Sequence, residues 1–259
     1  MTEMSFVFMP LMGGLGNQLF QYAAAYVVAK RNNAKILLHD LNENPHNTKG
    51  HNYIKELFVD ASECLIQPID IEEFQQGGTS QYNIWDPNAV KLPCRMSGYF
   101  QYIPALNPCI NEIIENLRGT LQVKEYQDNA FLHIRRGDYL LFPNVHHSQR
   151  PDYYLLAYLH LTKSRGSNPK KILVFSDDIS WCKNQDWIRC IPKVEFYENE
   201  DEIESLREMA QCQGGAIMAN STFSLWGAYL SKTRYVYYPK QWIQGFSIES
   251  IVPSHWVCI

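Results

Sequence analysis

The chain has 259 residues, 46% of them apolar and 19% charged, with a formal net charge of -4. That length can bury the core of one large or two small domains and excludes intrinsic disorder, while the charge leaves no basic field to gather nucleic acid or an anionic membrane. The seven cysteines, at 64, 94, 109, 182, 190, 212 and 258, form no C-x-x-C pair and read as small hydrophobes in a reducing compartment.

Residues 5–11 predict a first strand, too short to span a bilayer, broken by Pro10 and lacking a basic region before it. A cytoplasmic location follows as the expectation, peripheral to a membrane at most. A helix is predicted over 17–32, apolar on nearly all sides and therefore buried against a sheet, and a second strand over 35–39. Residues 43–128 carry no clear alternation and include Gly77-Gly78 and several prolines. Strands are then predicted at 130–135, 171–176, 194–197, 215–219 and 234–238, with helices at 153–163, 201–211 and 221–230 between them. Strand and helix thus alternate as in a parallel α/β sheet covered on both faces. The polar stretch 122–129 is the expected boundary, dividing a first domain, 1–122, from a second, 123–259.

Four segments could carry chemistry. Between the first strand and helix, Gly13, Gly14 and Gly16 let the backbone turn tightly and let a ligand approach the amides of a helix start, beside Asn17 and Gln18. The spacing is not G-x-G-x-x-G, so a dinucleotide site matches poorly, and a turn serving helix packing is the plainer alternative. At the end of the strand over 130–135, period two puts His133 and Arg135 on one face, where open α/β sheets bind ligands. Arginine suits phosphate because its planar fork gives two parallel donors and keeps its charge. The alternative there is an Arg136–Asp138 surface pair with a satisfied core His133.

Asp177 and Asp178 close the next strand, where carboxylates can accept hydrogen bonds from a ribose or from a guanine edge. They could instead hold a metal, although D-x-D is absent, or Asp178 or Ser180 could cap the short helix that follows. Finally, Asn220, Ser221 and Thr222 open a helix after a strand, offering hydroxyls and backbone amides at the positive end of a helix dipole. The plain alternative is an ordinary cap by Asn220 or Ser221, and the glycosylation sequon they spell needs a secreted protein.

Taken together, Gly-Gly-Leu-Gly-Asn-Gln-Leu-Phe-Gln-Tyr at 13–22, His-Ile-Arg-Arg-Gly-Asp-Tyr at 133–139, Phe-Ser-Asp-Asp at 175–178 and Asn-Ser-Thr-Phe-Ser at 220–224 resemble the ordered motifs of the alpha-1,2-fucosyltransferases, glycosyltransferase family 11. His-x-Arg-Arg is shared with alpha-1,6- and protein O-fucosyltransferases, whereas its combination with Asn-Ser-Thr-Phe-Ser is more restrictive. One departure is Leu225, where relatives often carry a second Trp; another, as an expectation, is the absence of the N-terminal membrane anchor of animal members.

The resemblance implies the GT-B architecture, two Rossmann-like halves with mostly parallel sheets facing across a cleft, the C-terminal half binding the nucleotide sugar. It implies inverting, metal-independent transfer of L-fucose from GDP-fucose to the 2-hydroxyl of a terminal galactose or related hexose, on an oligosaccharide or glycolipid. Diphosphate charge that grows as the bond breaks would fall to Arg135 and the helix start Asn220, Ser221, Thr222 and Phe223. His133 and Asp177, with Asp178 nearby, would bind guanosine; Gly14, Gly16, Asn17 and Gln18 would face the acceptor and fucose. Asp138 is the nearest motif acid, either the catalytic base or an anchor for Arg136. The C-terminal tail is expected either within the second half or packed back on the first, and the oligomeric state stays open. Two alternatives stand beside this reading: a GDP-fucose-dependent enzyme acting on proteins or forming another linkage, and a non-catalytic nucleotide- or glycan-binding protein.

Overall fold

The computed structural model describes residues 5–41, 44–68, 71–76, 84–124, 128–243, 248 and 251–259. The chain divides into two compact units, Met1–Leu121 and Gln122–Ile259. Gly77-Gly78 and the middle of the expected boundary stretch, 125–127, lie outside the described residues.

In the first unit, β1 (Phe6–Leu11), β2 (Lys35–Asp40), β3 (Ala61–Glu63), β4 (Glu72–Gln75) and β5 (Cys94–Ser97) form a parallel sheet in the order β3-β2-β1-β5-β4. β1 sits at its centre, and Val7, Phe8, Met9 and Leu11 have no exposed surface, as a strand covered on both faces requires. The crossover to β2 is α1 (Leu15–Asn32), buried along almost its whole length, including Gln18 and Gln21. It ends where Asn33 turns left-handed (φ 48°) and returns its N–H to the carbonyls of Ala29 and Lys30, while Lys30 and Arg31 complement the dipole. The stretch that the sequence left unread holds α2 (Tyr53–Glu56), α3 (Ile103–Leu106), α4 (Ile110–Thr120) and a 3-10 turn, Pro87–Ala89.

The second unit contains β6 (Asn129–Ile134), α5 (Pro151–Arg165), β7 (Lys171–Ser176), α6 (Ile179–Lys183), α7 (Asp186–Arg189), β8 (Val194–Phe196), α8 (Glu202–Gln211), β9 (Gly215–Ile217), α9 (Thr222–Ser231), β10 (Val236–Tyr238) and β11 (Val257–Cys258). All six strands are parallel, in the order β11-β10-β9-β6-β7-β8. Counted from β6 this is 6-5-4-1-2-3, the doubly wound order whose direction reverses between the first and fourth strands. Here that switch point lies between β6 and β9, paired from Ala130↔Gly215 to Leu132↔Ile217. A β-carbon on Gly215 would lie 2.5 Å from Leu161 Cδ1, so only glycine lets α5 pack this closely on β9.

Elements stand close to their sequence-based positions, with shifted ends. β9 stops at Ile217 rather than 219 because the chain must turn toward α9, and the next strand starts at Val236 rather than 234. Asp201 lies outside α8 and caps it, its Oδ1 accepting from the amides of Ile203 and Glu204. The tail strand β11 pairs with β10, Tyr237↔Val257 and Tyr238↔Cys258, in the second sheet.

Candidate active site

Chemistry-bearing side chains of the second unit gather where the switch point predicts, at the carboxyl ends of β6, β7 and β9. On β6, His133 is buried, and desolvation reinforced by the Arg135 charge pulls its pKa down from 6.5 to about 3. The imidazole is therefore neutral, and its Nδ1 has no hydrogen-bond partner among the described residues. Phe223 lies beside it, ring centroids 6.0 Å apart.

Arg135 follows the last residue of β6. Its Nη1 lies 3.0 Å from the partly buried Asp177 Oδ2, and its Nη2 donates to Asp138 Oδ1 at 2.7 Å. Asp138 opens a 3-10 turn, Asp138–Leu140, which brings its half-exposed carboxylate back to Arg135 three residues earlier. Arg136 points elsewhere. Its Nε donates to Asp178 Oδ2 (3.1 Å), its guanidinium lies 3.6 Å from the centroid of the Trp181 ring, and its backbone N–H donates to Asp177 Oδ1 (2.9 Å). The Arg136–Asp138 pair weighed from the sequence is therefore replaced by Arg135–Asp138 and Arg136–Asp178, because the stack on Trp181 draws Arg136 toward α6. Asp178 rather than Ser180 caps α6, its Oδ1 accepting from the Trp181 amide at 3.0 Å. Asp177 Oδ1 and both oxygens of Asp178 thus already accept a hydrogen bond, and Asp177 Oδ2 is ion-paired with Arg135.

Across the switch point, Ser221 rather than Asn220 caps α9, its Oγ accepting from the Phe223 amide at 3.3 Å. Asn220 is almost wholly buried; its Nδ2 donates to the Trp242 carbonyl (2.8 Å), while its Oδ1 has no partner among the described residues. Thr222 begins the helix, where the dipole is positive. Ser224 Oγ donates to the carbonyls of Ala219 and Ser221, fixing the turn from inside.

The remaining candidates belong to the first unit, at the end of β1. The Gly14 carbonyl accepts the first amides of α1, those of Asn17 and Gln18. Gly14 and Asn17 are partly open, with Asn17 Oδ1 accepting from Gln101 Nε2 at 3.0 Å. Gly16 and Gln18 are buried, and Gln18 turns its Nε2 back to the Gly13 carbonyl at 2.9 Å. Sequence reasoning missed Gln21, which ties this loop to the one after β5 by accepting from the Met12 amide and donating to the Gly98 carbonyl. A second glutamine three residues beyond Gln18, on an otherwise apolar helix, was the available signal. It also missed Gly137, which leaves room for Asp177, and Tyr139 and Trp181, whose rings face the two arginines.

Among the described residues no three His, Cys, Asp or Glu side chains group as a metal would need, and no helix is long and apolar enough to cross a membrane. A doubly wound sheet that collects polar and charged side chains at its switch point belongs to the class of open α/β folds, which bind ligands beyond the carboxyl ends of their strands. The chain belongs to glycosyltransferase family 11: the family profile described as Glycosyl transferase family 11 matches residues 9–259. It is similar to an alpha-1,2-colitosyltransferase of Escherichia coli, 28% identical over 99% of each chain. It is also similar to the O-antigen biosynthesis glycosyltransferase WbnK of Escherichia coli, 26% identical over 95% of this chain and 98% of that one. Galactoside alpha-(1,2)-fucosyltransferase 2 of Bos taurus is 27% identical over 87% of this chain and 69% of its own. Among solved structures, the fucosyltransferase NodZ from Bradyrhizobium superposes with a TM-score of 0.50 at 12% identity, covering 87% of this chain and 93% of that one. That likeness concerns the fold alone, the GT-B type with its two Rossmann-like halves.

Proposed function

We propose that the protein transfers L-fucose from GDP-fucose, with inversion and without a metal, to the 2-hydroxyl of a terminal galactose or related hexose. The observation that carries this reading is the convergence of Arg135, Asp177 and the start of α9 on one switch point, flanked by two buried polar atoms that have no partner among the described residues, His133 Nδ1 and Asn220 Oδ1. A buried polar group without a partner costs free energy unless a ligand supplies one. The names of the bacterial and animal relatives support an alpha-1,2 linkage.

In the reaction the acceptor oxygen attacks the anomeric carbon as the carbon–oxygen bond to the diphosphate breaks, leaving GDP. Negative charge builds on the departing diphosphate. Arg135 meets it with a two-pronged guanidinium, and the amides and dipole of the α9 start meet it from the other strand. The neutral His133 and the carboxylate of Asp177, with Asp178 behind it, are assigned to the nucleoside. Asp138 is assigned as the base; its ion pair with Arg135 couples proton uptake to the charge that arginine must neutralise. Gly14, Gly16, Asn17 and Gln18 of the first unit are assigned to the acceptor and fucose side.

The test is incubation with GDP-fucose and terminal beta-galactosides, followed by proton NMR of the product, with nucleotide-activated colitose as a parallel donor. An alpha-fucosyl signal at galactose position 2 is expected. A beta-fucoside rejects inversion, linkage at position 3, 4 or 6 rejects the regiochemistry, and transfer of colitose in preference to fucose reassigns the donor.

A further inference from the structure

Beyond the end of the shared ladder at Leu132↔Ile217, β6 and β9 run into separate turns, one carrying Arg135 and the other the start of α9. Any ligand held by both turns depends on the distance between them. Tyr139 joins the two. Its hydroxyl donates to the carbonyl of Asn220 at 2.6 Å, in a buried bond between residues 81 positions apart. That carbonyl belongs to the peptide leading directly into Ser221, the cap of α9.

The ring of Tyr139 is held as well as its hydroxyl. The Arg135 guanidinium lies 5.4 Å from the ring centroid, and His146 stacks on the ring with centroids 4.2 Å apart and planes 9° from parallel. His146 is itself tied down by an antiparallel bridge to Ile243, and Gln149 Nε2 donates to the Gln241 carbonyl at 2.9 Å. One phenol therefore touches Arg135 with its face and the root of α9 with its oxygen. Burial pushes the hydroxyl pKa up to about 12, so it stays protonated and remains a donor.

We propose that Tyr139 is a positioning residue that sets the span between Arg135 and the start of α9, matching the site to a diphosphate rather than to a monophosphate or a bare nucleoside. This rests on the nucleotide-sugar reading above. A ligand with two phosphates engages both turns and feels their spacing, whereas a nucleoside held by His133 and Asp177 does not. Tyr139→Phe keeps the ring and its stack on His146 but removes the donor and leaves the Asn220 carbonyl unpaired in a buried place.

The experiment is calorimetry of the full-length wild type and Tyr139→Phe with GDP, GMP and guanosine, alongside steady-state kinetics with GDP-fucose and a galactoside. Loss of one buried hydrogen bond predicts roughly five- to thirty-fold weaker GDP binding. GMP should weaken less and guanosine by under about two-fold, and KM for the donor should rise with GDP affinity. Equal weakening for all three ligands would mean that Tyr139 only supports the fold, and no weakening of GDP would remove it from the site; either result overturns the proposal. A wild type that binds guanosine and GDP equally sinks it too, and a wild type that binds neither refutes the nucleotide reading itself. If Tyr139→Phe does not fold, His146→Ala loosens the ring while leaving the hydroxyl. It should produce a smaller loss with the same preference for GDP, and a loss shared by guanosine counts against the proposal.

Discussion

Gly137→Ala is the sharpest test of how the arginine pair is held. A β-carbon at Gly137 would lie 2.5 Å from Asp177 Oδ2 and 3.3 Å from its Cγ, closer than unbonded carbon and oxygen can approach. The aspartate must therefore retreat or the turn must open. Retreat disturbs the two contacts Asp177 now makes, the hydrogen bond from the Arg136 amide at 2.9 Å and the ion pair with the Arg135 guanidinium at 3.0 Å. A hydrogen bond to a charged group contributes about 1.5–3 kcal/mol when well buried. Arg135 and Asp177 keep 15% and 16% of their side-chain surface exposed, so water replaces part of that loss. Losing one bond and stretching the other gives a penalty of roughly 2 kcal/mol.

The assay is a double-mutant cycle on the full chain by urea denaturation, with Asp177→Ala as the second change. The alanine removes the oxygen that clashes, so Gly137→Ala in that background should cost clearly less than in the wild type. An equal penalty in both backgrounds would show that the glycine serves the backbone of the turn rather than the approach of Asp177, and would refute the argument.

Arg135→Lys keeps the charge but loses the fork, and should lower kcat by roughly ten- to a thousand-fold. Arg136→Lys should lower it less, because that side chain is spent on Trp181 and Asp178; near-normal kcat in the folded Arg135 variant would remove the phosphate role. Activity should survive EDTA, and its loss with recovery on adding magnesium or manganese would overturn the assignment of the diphosphate to Arg135 and α9. The folded-state pKa of His133, about 3, lies below its ordinary 6.5, so between these values the unfolded chain binds the extra proton. The stability tied to His133 is then full above about pH 6.5 and falls on acidification by about 1.4 kcal/mol per pH unit at most. His133→Gln should flatten the drop in urea midpoint between about pH 7 and pH 5, and an unchanged slope would contradict a buried neutral imidazole.

The legible elements share one property: their burial is written in their own side chains. β6 is buried at all six positions and α1 on nearly every side, so apolar runs announce both. The unread strands lack that signature. β4 is Glu-Glu-Phe-Gln at a sheet edge, exposed but for Phe74, and its place comes from backbone pairing with β5, Glu72↔Cys94 to Gln75↔Ser97. β3 at the opposite edge is three residues long, and both residues of β11 are exposed. The candidate site divides likewise. Residue types at strand ends located Arg135, Asp177 and Ser221, whereas the choice of partners did not follow. Which aspartate meets which arginine depends on a stack with Trp181, 45 positions from Arg136, and the Tyr139 hydroxyl finds a carbonyl that no local pattern encodes.

The paired state of Arg135 bears on how fast a ligand is captured. Around it and Arg136 stand Asp138, Asp177 and Asp178, three carboxylates to two guanidiniums. On the proposed assignment a phosphate arriving there would exchange places with a carboxylate instead of meeting a bare cation, and this cluster of described residues carries no net positive charge to draw an anion in from solution. Encounter then proceeds at the pace of an unsteered collision, and diluting the salt, which hastens association where opposite charges attract, should not hasten it here. What the carboxylates would provide instead, on the same assignment, is an arginine fork already aimed, so that discrimination between donors would reside in how slowly the right one leaves.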